Sequence, residues 1–142
     1  MVDIAVFKMD HSMTTPHYEH EDDAGIDLRS SVDITIKPHE TQVVPTGIKM
    51  AIPQGYVGLV WDKSGYAANN SIHCLAGVID SGYRGEIKIV MVNLGSKDFE
   101  INKDMKIVQI LIQPIIRSNI IVKDSLENTT RGEGGFGSTG KR

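Results

Sequence analysis

Residues 86–92 read Glu-Ile-Lys-Ile-Val-Met-Val, and apolar side chains return at every second position at the start of this stretch. A period of two places alternate side chains on opposite faces, which is typical of a half-buried β-strand. Similar segments occur at residues 32–37, 48–52 and 57–61. Turn clusters with proline or glycine separate them, at residues 37–40, 53–55 and 95–97. Short strands with such regular turns predict an all-β fold, a sandwich or a barrel.

Two later apolar runs, residues 107–112 and 120–122, are rich in β-branched side chains. Such runs are typical of strands that are buried on both faces, here at a possible subunit interface. One short helix is predicted over residues 64–70. Ser64 is expected to cap this helix, and Gly65 in its first turn limits it to about one helical turn.

The size and charge of the chain exclude several classes of protein. Its 142 residues fit one domain. The 15 Lys and Arg residues against 18 Asp and Glu give a net charge of -3, without a long basic run, so nucleic-acid coating is not expected. Apolar runs are far shorter than the ~20 residues that span a bilayer, and residues 1–8 lack a signal-peptide layout. We therefore expect a soluble intracellular protein, in the cytoplasm or nucleus, without a membrane partner.

Two features resemble a catalytic or a metal site, but in each of them the pattern of residues favours a structural role. Cys74 is the single cysteine and has apolar neighbours, so a small buried hydrophobic residue is expected, with a catalytic thiol as the alternative. Residues 17–23 hold two histidines among acidic residues. Zinc sites normally use three or four ligands fixed by the structure, so a solvated acidic loop is favoured over a metal site.

The composition changes at residues 131–140, where five of ten positions are glycine. Such a stretch cannot pack as a strand or helix by itself, so we expect a β domain over residues 1–130 and a flexible tail over residues 131–142. A dinucleotide fingerprint and most of a P-loop can be read in the tail, but the strand and helix that these motifs require are missing. Free backbone N–H groups and Arg131 remain as groups that can wrap phosphates.

Residues 77–85 read Gly-Val-Ile-Asp-Ser-Gly-Tyr-Arg-Gly, which predicts a β-hairpin with Asp80 and Tyr83 near its tip. Either Asp80 caps the turn and Tyr83 covers the sheet, or the tip recognises a flat ligand. Residues 62–67 predict a small anion nest or a plain helix cap. Asp27 lies in an apolar strand and needs a partner if it is buried, which could be a hydrated cation.

Taken in order, five segments resemble the five motifs of the trimeric dUTPases, the deoxyuridine triphosphate nucleotidohydrolases. These segments are residues 24–28, 63–65, 77–85, 107–109 and 131–140. The resemblance covers almost the whole chain and implies a homotrimer of β-sandwich, jelly-roll-like subunits. It further implies three active sites at subunit junctions, each closed by a C-terminal tail.

The resemblance also implies a role for each matching residue in the hydrolysis of dUTP to dUMP and pyrophosphate. Asp80 would be the general base for the attacking water, and Tyr83 would pack beneath the deoxyribose. The other implied substrate contacts are Gly77, Val78, Ile79 and Lys88 at uracil; Lys63, Ser64, Gly65 and Gln109 at the α- and β-phosphates; Arg131, Ser138 and Thr139 at the γ-phosphate; Phe136 over uracil; and Gly137 in the tail. Mg²⁺ would be held mainly by the triphosphate, with Asp27 in contact through water.

The chain departs from the family pattern at two motifs. Lys63 stands where the family usually has arginine, which keeps the charge but loses the bidentate fork. The fourth motif retains only its end, at residues 107–109. Two alternatives therefore stand beside the dUTPase: a catalytically weak nucleotide-binding regulatory module, and a dCTP deaminase-related enzyme.

Overall fold

The structure is a computed structural model that describes residues 2–136, 138 and 140. Within these residues the chain forms eleven strands and one helix, and this helix is too short and polar to cross a membrane. The strands are β1 (Ala5–Lys8), β2 (Ile26–Arg29), β3 (Ile34–Ile36), β4 (Thr41–Pro45), β5 (Ile48–Ala51), β6 (Tyr56–Asp62), β7 (Ile72–Leu75), β8 (Val78–Asp80), β9 (Lys88–Asn93), β10 (Phe99–Ile101) and β11 (Lys106–Pro114). The helix α1 (Ser64–Asn70) lies between β6 and β7.

Antiparallel pairing builds two larger sheets, with the strand orders β2-β11-β6-β8 and β4-β9-β7. Two strand pairs, β1-β5 and β3-β10, complete the fold. The longest strand, β11, pairs with both β2 and β6, and its register to β2 shifts between Lys106 and Val108. Buried side chains of both larger sheets, such as Leu28 and Met91, form one core cluster. This arrangement confirms the predicted all-β, jelly-roll-like sandwich.

The alternating segments are strands, as predicted. In β9, Ile89 and Met91 point into the core, while Lys88 is exposed. The apolar run at residues 107–112 lies within β11, and Ile107, Val108 and Ile110 are buried there. The period of the apolar side chains therefore located the strands correctly.

The predicted hairpin over residues 77–85 is wrong. The chain turns after β8, where the N–H of Tyr83 donates to the carbonyl oxygen of Asp80 at 3.1 Å. The next strand, β9, pairs with β4 and β7, whereas β8 pairs with β6. Between β8 and β9 the chain crosses from one larger sheet to the other, and in this connection Ile87 is buried and its N–H donates to Ile48 O of β5 at 2.9 Å. Sequence alternation indicates which faces are buried but not which strand lies alongside.

Two smaller predictions are also wrong. Residues 120–122 form no strand within this chain, and their apolar side chains are exposed. Ser64 begins α1 instead of capping it, since Lys63 occupies the N-cap position without a side-chain capping hydrogen bond. The helix runs for about two turns and ends at Ser71, which adopts a left-handed conformation.

The described residues after Pro114 form no strand or helix, which agrees with the prediction for residues 131–140. Local turns occur there, and in one of them the N–H of Gly134 donates to Arg131 O at 3.1 Å. Gly137 and Thr139 lie outside the described residues. The division into a domain over residues 1–130 and a tail over residues 131–142 stays a prediction.

Asn93 joins three parts of the fold through its buried side-chain amide. Its Nδ2 donates to the carbonyl oxygens of Ile36 at 2.9 Å and Lys97 at 2.7 Å, and its Oδ1 accepts the N–H of Gly95 at 2.9 Å. Because Asn93 is fully buried, these bonds replace the ones that water would otherwise supply. The amide therefore holds β9 to β3 and to the following loop.

We expect Asn93→Asp to lower the free energy of unfolding by more than about 2 kcal/mol at neutral pH, because a buried carboxylate would face two carbonyl oxygens. Protonation would restore one donor, so the loss should be smaller in acid. Urea unfolding at several pH values and one protein concentration measures both effects. The matched change Asn102→Asp, at an exposed position, should alter stability by less than about 0.5 kcal/mol. Equal losses in the two variants would contradict the role of Asn93.

Candidate active site

The turn after β8 places Asp80 and Tyr83 side by side. Asp80 is the last residue of β8 and lies opposite Val57 of β6. The phenol of Tyr83 donates to Glu86 O at 2.9 Å, and its ring packs against Gly85, where any Cβ would overlap it. The Asp80 side chain is exposed to solvent. The local turn therefore holds a carboxylate next to an aromatic ring.

These residues open onto a cavity of about 180 Å³, which we call the Asp80 pocket. Its lining residues are Val78, Ile79, Asp80, Tyr83, Glu86 and Lys88. All but Glu86 are residues that the sequence singled out, and they meet here even though β8 and β9 belong to different sheets. Gly77 precedes the pocket with a φ of +102°, a backbone conformation that favours glycine. Its carbonyl oxygen accepts the N–H of Val60 at 2.9 Å, which fixes the entry to β8.

A second cavity of about 290 Å³, the Lys63 pocket, lies where β2, β11 and the start of α1 meet. Four of the predicted site residues line it, namely Asp27, Lys63, Ser64 and Gln109, together with Glu19 and Lys106. Gln109 lies opposite Asp27 in the sheet, and its Nε2 donates to Asp62 O at 3.0 Å. Gly25 packs directly against the Gln109 amide, where an added Cβ would overlap the amide oxygen. Gly65 belongs to α1 beside this pocket but does not line it.

Asp27 is buried, and it is neutralised by two lysines. Its Oδ1 accepts from Lys63 Nζ at 2.5 Å, and its Oδ2 lies 2.9 Å from Lys106 Nζ. Burial acts to raise the pKa of Asp27, but the two ammonium groups outweigh it and hold this pKa below its usual range. The structure places two lysine side chains at Asp27, and the hydrated cation that the sequence suggested as a partner stays a prediction.

Lys106 is a site residue that the sequence reasoning missed. Its Nζ also lies 2.6 Å from Glu19 Oε2, so one ammonium group bridges two carboxylates. Glu19 and Asp27 together raise the pKa of Lys106, and Lys106 lowers the pKa of Glu19. The sequence signal that could have identified Lys106 is its position three residues before Gln109.

The two pockets lie at opposite ends of β6. Asp80 pairs with Val57 near the start of that strand, and Lys63 follows its last residue, Asp62. Val57 and Asp62 are five positions apart along the extended strand, which corresponds to about 17 Å. The Asp80 pocket and the Lys63 pocket are therefore separate sites within one chain.

The described tail residues line neither pocket. Arg131 Nε donates to Gly134 O at 2.9 Å within its own turn. Phe136 and Ser138 are exposed. The predicted tail contacts are therefore not brought to either pocket within a single chain.

Cys74 and the loop of residues 17–23, for which the sequence favours a structural role, carry no catalytic group. Cys74 is buried, and burial together with the neighbouring Asp62 carboxylate raises the pKa of its thiol to about 12. The thiol is therefore protonated at neutral pH, and Cys74 packs as a small hydrophobic residue, as predicted. Residues 17–23 form an exposed loop, in which the N–H of His20 donates to Asp23 Oδ2 at 2.9 Å.

Together, the two pockets suit the parts of a nucleotide. An exposed carboxylate beside an aromatic ring suits water activation next to a nucleoside, and a pocket with two lysines and a glutamine amide suits an anion. These are the groups that the class of nucleotide-hydrolysing domains requires.

Comparison with known proteins agrees with this class. The family model for dUTPase matches residues 11–140. A deoxyuridine 5'-triphosphate nucleotidohydrolase of Clostridium kluyveri is 45% identical over 143 residues, covering 98% of this chain and 99% of the relative. The chain belongs to the dUTPase family.

Solved structures extend the comparison. A mutant dUTPase of Staphylococcus bacteriophage 80alpha, solved with dUpNHpp, is 26% identical, with a TM-score of 0.91 and coverage of 99% of both chains. A mutant dUTPase of phage phi11 of S. aureus, in which a structural Mg(II) ion is coordinated, is 24% identical, with a TM-score of 0.83 and coverage of 89% of this chain and 100% of that one. The second likeness concerns the fold alone.

We expect Asp27→Asn to lower the melting temperature at neutral pH, because two ammonium groups would lose their shared anion. The pKa of Asp27 is lowered in the folded protein, so its contribution to stability is present above the unfolded value of about 4 and is lost as the pH falls through the folded value. Thermal unfolding between about pH 7 and pH 3 should show the variant and the wild type converging in acid. The exposed Asp98→Asn serves as the control, and a gap that stayed constant down to the lowest pH would contradict the assignment.

Proposed function

We propose that this dUTPase hydrolyses dUTP to dUMP and pyrophosphate with Asp80 as the general base, at active sites that are completed between copies of a homotrimer. Family membership supports the reaction, and the exposed Asp80 carboxylate beside Tyr83 is the observation that carries the mechanism. A water oxygen attacks the α-phosphorus while Asp80 accepts its proton. The bond from the α-phosphorus to the oxygen that bridges to the β-phosphate breaks, and pyrophosphate leaves.

Uracil binding is supported by the position of β8 in its sheet. This strand lies at the edge of the order β2-β11-β6-β8, so its outer N–H and C=O groups have no partner strand within the described residues. Uracil presents two carbonyl oxygens and one N–H, which an edge strand can bind with alternating donors and acceptors. Gly77, Val78 and Ile79 would supply these groups with Lys88 opposite, while Tyr83 packs against the deoxyribose.

Phosphate binding is assigned to the Lys63 pocket of a neighbouring copy. Lys63, Ser64, Gly65 and Gln109 would hold the α- and β-phosphates through ammonium, hydroxyl, backbone and amide donors. Adjacent phosphates share one bridging oxygen, so these donors must lie within a few ångströms of the phosphorus that Asp80 serves. The separation of about 17 Å along the strand in one chain supports the proposal that a second copy supplies the other half.

Exposed apolar side chains after β11 support this assembly. Ile116, Ile120 and Val122 are 95%, 88% and 92% exposed in the single chain. Contiguous apolar exposure of this kind marks an interaction surface. We assign residues 115–122 to the interface between copies. From the sequence, residues 120–122 of this segment were expected at a subunit interface.

The tail would complete the site from a neighbouring subunit. Arg131, Ser138 and Thr139 would bind the γ-phosphate, Phe136 would stack on uracil, and Gly137 would give the backbone close access. Base–aromatic stacking of this kind is worth about 1–3 kcal/mol. The exposure of Phe136 in the single chain is consistent with a residue that packs only when a ligand is bound.

Magnesium fits this site as a companion of the substrate. Within the described residues, no group of three or more His, Cys, Asp or Glu side chains is placed to hold a metal. Triphosphate oxygens are the ligands that Mg²⁺ prefers, and the bound ion would polarise the phosphoryl centre. Each oxygen of Asp27 accepts from one lysine and keeps a further lone pair, which would accept a water molecule bound to the ion.

We expect Asp80→Asn to lower kcat by about 10²–10⁴-fold while retaining dUTP binding, because the amide cannot accept the proton of the attacking water. Release of dUMP and pyrophosphate measures kcat, and calorimetry with dUpNHpp measures binding. Asp98→Asn, at an exposed acid outside both pockets, is the matched control. Turnover at the wild-type rate would remove Asp80 from the mechanism.

Mixing two inactive variants tests where the site lies. Asp80→Asn and Lys63→Met chains, unfolded together in equal amounts and refolded, should recover up to about a quarter of the wild-type activity. At each junction, about half of the copies on one side carry an intact Asp80 and about half of those on the other side carry an intact Lys63, so about a quarter of the junctions hold both. If both pockets served one chain, every site would carry a defect and no activity would return.

We further expect deletion of residues 131–142 to abolish most turnover without changing the assembly, because the tail contributes no strand or buried residue in its described part. Initial rates and light scattering give the two readouts. A truncated protein that turned over dUTP normally would refute the role of the tail as a lid.

A further inference from the structure

The Lys63 pocket contains an ion network that the proposed mechanism does not yet use. Lys106 Nζ lies 2.9 Å from the buried carboxylate of Asp27 and 2.6 Å from the carboxylate of Glu19. Lys63 holds the other oxygen of Asp27. The four charges alternate in the order Lys63, Asp27, Lys106, Glu19, and they sum to zero.

The two carboxylates on Lys106 differ in how firmly they are held. Asp27 is buried within β2, and both of its oxygens accept from lysines. Glu19 belongs to the exposed loop of residues 17–23, and about half of its side-chain surface faces solvent. An anion that enters the pocket can therefore displace Glu19 at low cost, but it cannot displace Asp27.

Charge favours this exchange. With Glu19 in place the network is neutral, so it attracts a triphosphate weakly. Once Glu19 leaves, Lys63 and Lys106 outnumber Asp27 within the network, and the pocket as a whole, whose lining also includes Asp23, changes from one net negative charge to neutral. Because Lys106 lines the same cavity as Lys63 and Gln109, its freed donor faces the space assigned to the phosphates.

We propose that Lys106 is a second phosphate-binding cation and that Glu19 is a resident carboxylate which occupies Lys106 until the triphosphate replaces it. This inference rests on the proposed role of the Lys63 pocket. Glu19 then tunes substrate affinity without touching substrate. A purely structural Glu19 would only anchor the loop, and its loss would leave affinity unchanged or weaken it.

The test is the affinity for dUpNHpp, measured by calorimetry at one salt concentration. Lys106→Met should weaken binding about ten-fold or more, since a hydrogen bond to a charged group is lost, and Lys106→Arg should restore most of it. Glu19→Gln should tighten binding by about two- to five-fold, because an exposed ion pair no longer competes. In the Lys106→Met background, Glu19→Gln should have no effect.

Matched controls are available close by. Lys103 pairs with Asp10 at 2.7 Å outside the pocket, so Lys103→Met removes a comparable ion pair. Glu21→Gln removes an exposed acid from the same loop. Neither change should alter the dissociation constant more than about two-fold.

Two outcomes would overturn the inference. In the first, Lys106→Met weakens binding no more than Lys103→Met does. In the second, Glu19→Gln fails to tighten binding. Lys63→Met separates this failure from failure of the proposed function. If Lys63→Met weakens binding and Lys106→Met does not, only the role of Lys106 is lost. If neither change weakens binding, the phosphate assignment of the whole pocket falls with it.

Discussion

The buried carboxylate of Asp27 is the constraint on which the rest of the site depends. A charged group with so little exposure is tolerated only when cations satisfy it, and Lys63 and Lys106 do so from two different strand ends. Lys63 follows β6 and Lys106 begins β11, so one carboxylate fixes the ends of three neighbouring strands relative to one another. The register of β2 against β11 then places Gln109 opposite Asp27 and Gly25 against its amide. The cations and the amide of the Lys63 pocket are thus positioned without a ligand.

The same sheet separates this pocket from Asp80, the proposed general base. β6 carries Lys63 just beyond one end and pairs with Asp80 near the other, and the strand cannot shorten without losing its hydrogen bonds to β11. The proposed active site is therefore divided between the two ends of this strand within one chain. Association of copies would bring the two halves together, and the exposed apolar side chains of residues 115–122 are the surface to which we assign it.

Much of the fold could be predicted from the sequence because its signals are local. Alternation identified the strands, and Asp80 and Tyr83 are joined by a turn of four residues. The pairing of β8 with β6 could not be predicted, since a period of two is the same for any partner strand. The contact of Glu19 with Lys106 spans 87 positions, and no residue pattern in residues 17–23 announces it. The family resemblance placed Lys63 and Gln109 together at the α- and β-phosphates. It did not single out Lys106, because this residue lies in the part of the fourth motif that departs from the family.

The ion network around Asp27 gives a physical reason for lysine at position 63, where the family usually has arginine. A guanidinium at this position would bind both oxygens of Asp27 as a rigid fork, whose donors are fixed relative to one another. The ammonium of Lys63 bonds to Oδ1, and Lys106 takes Oδ2, so two point charges satisfy one carboxylate from separate strands. Each lysine has rotatable donors and can exchange its partner independently of the other. In the proposed phosphate site, Asp27 would stay paired with one lysine while the other turned toward an incoming phosphate, an exchange that the fixed donors of a single arginine fork would hinder.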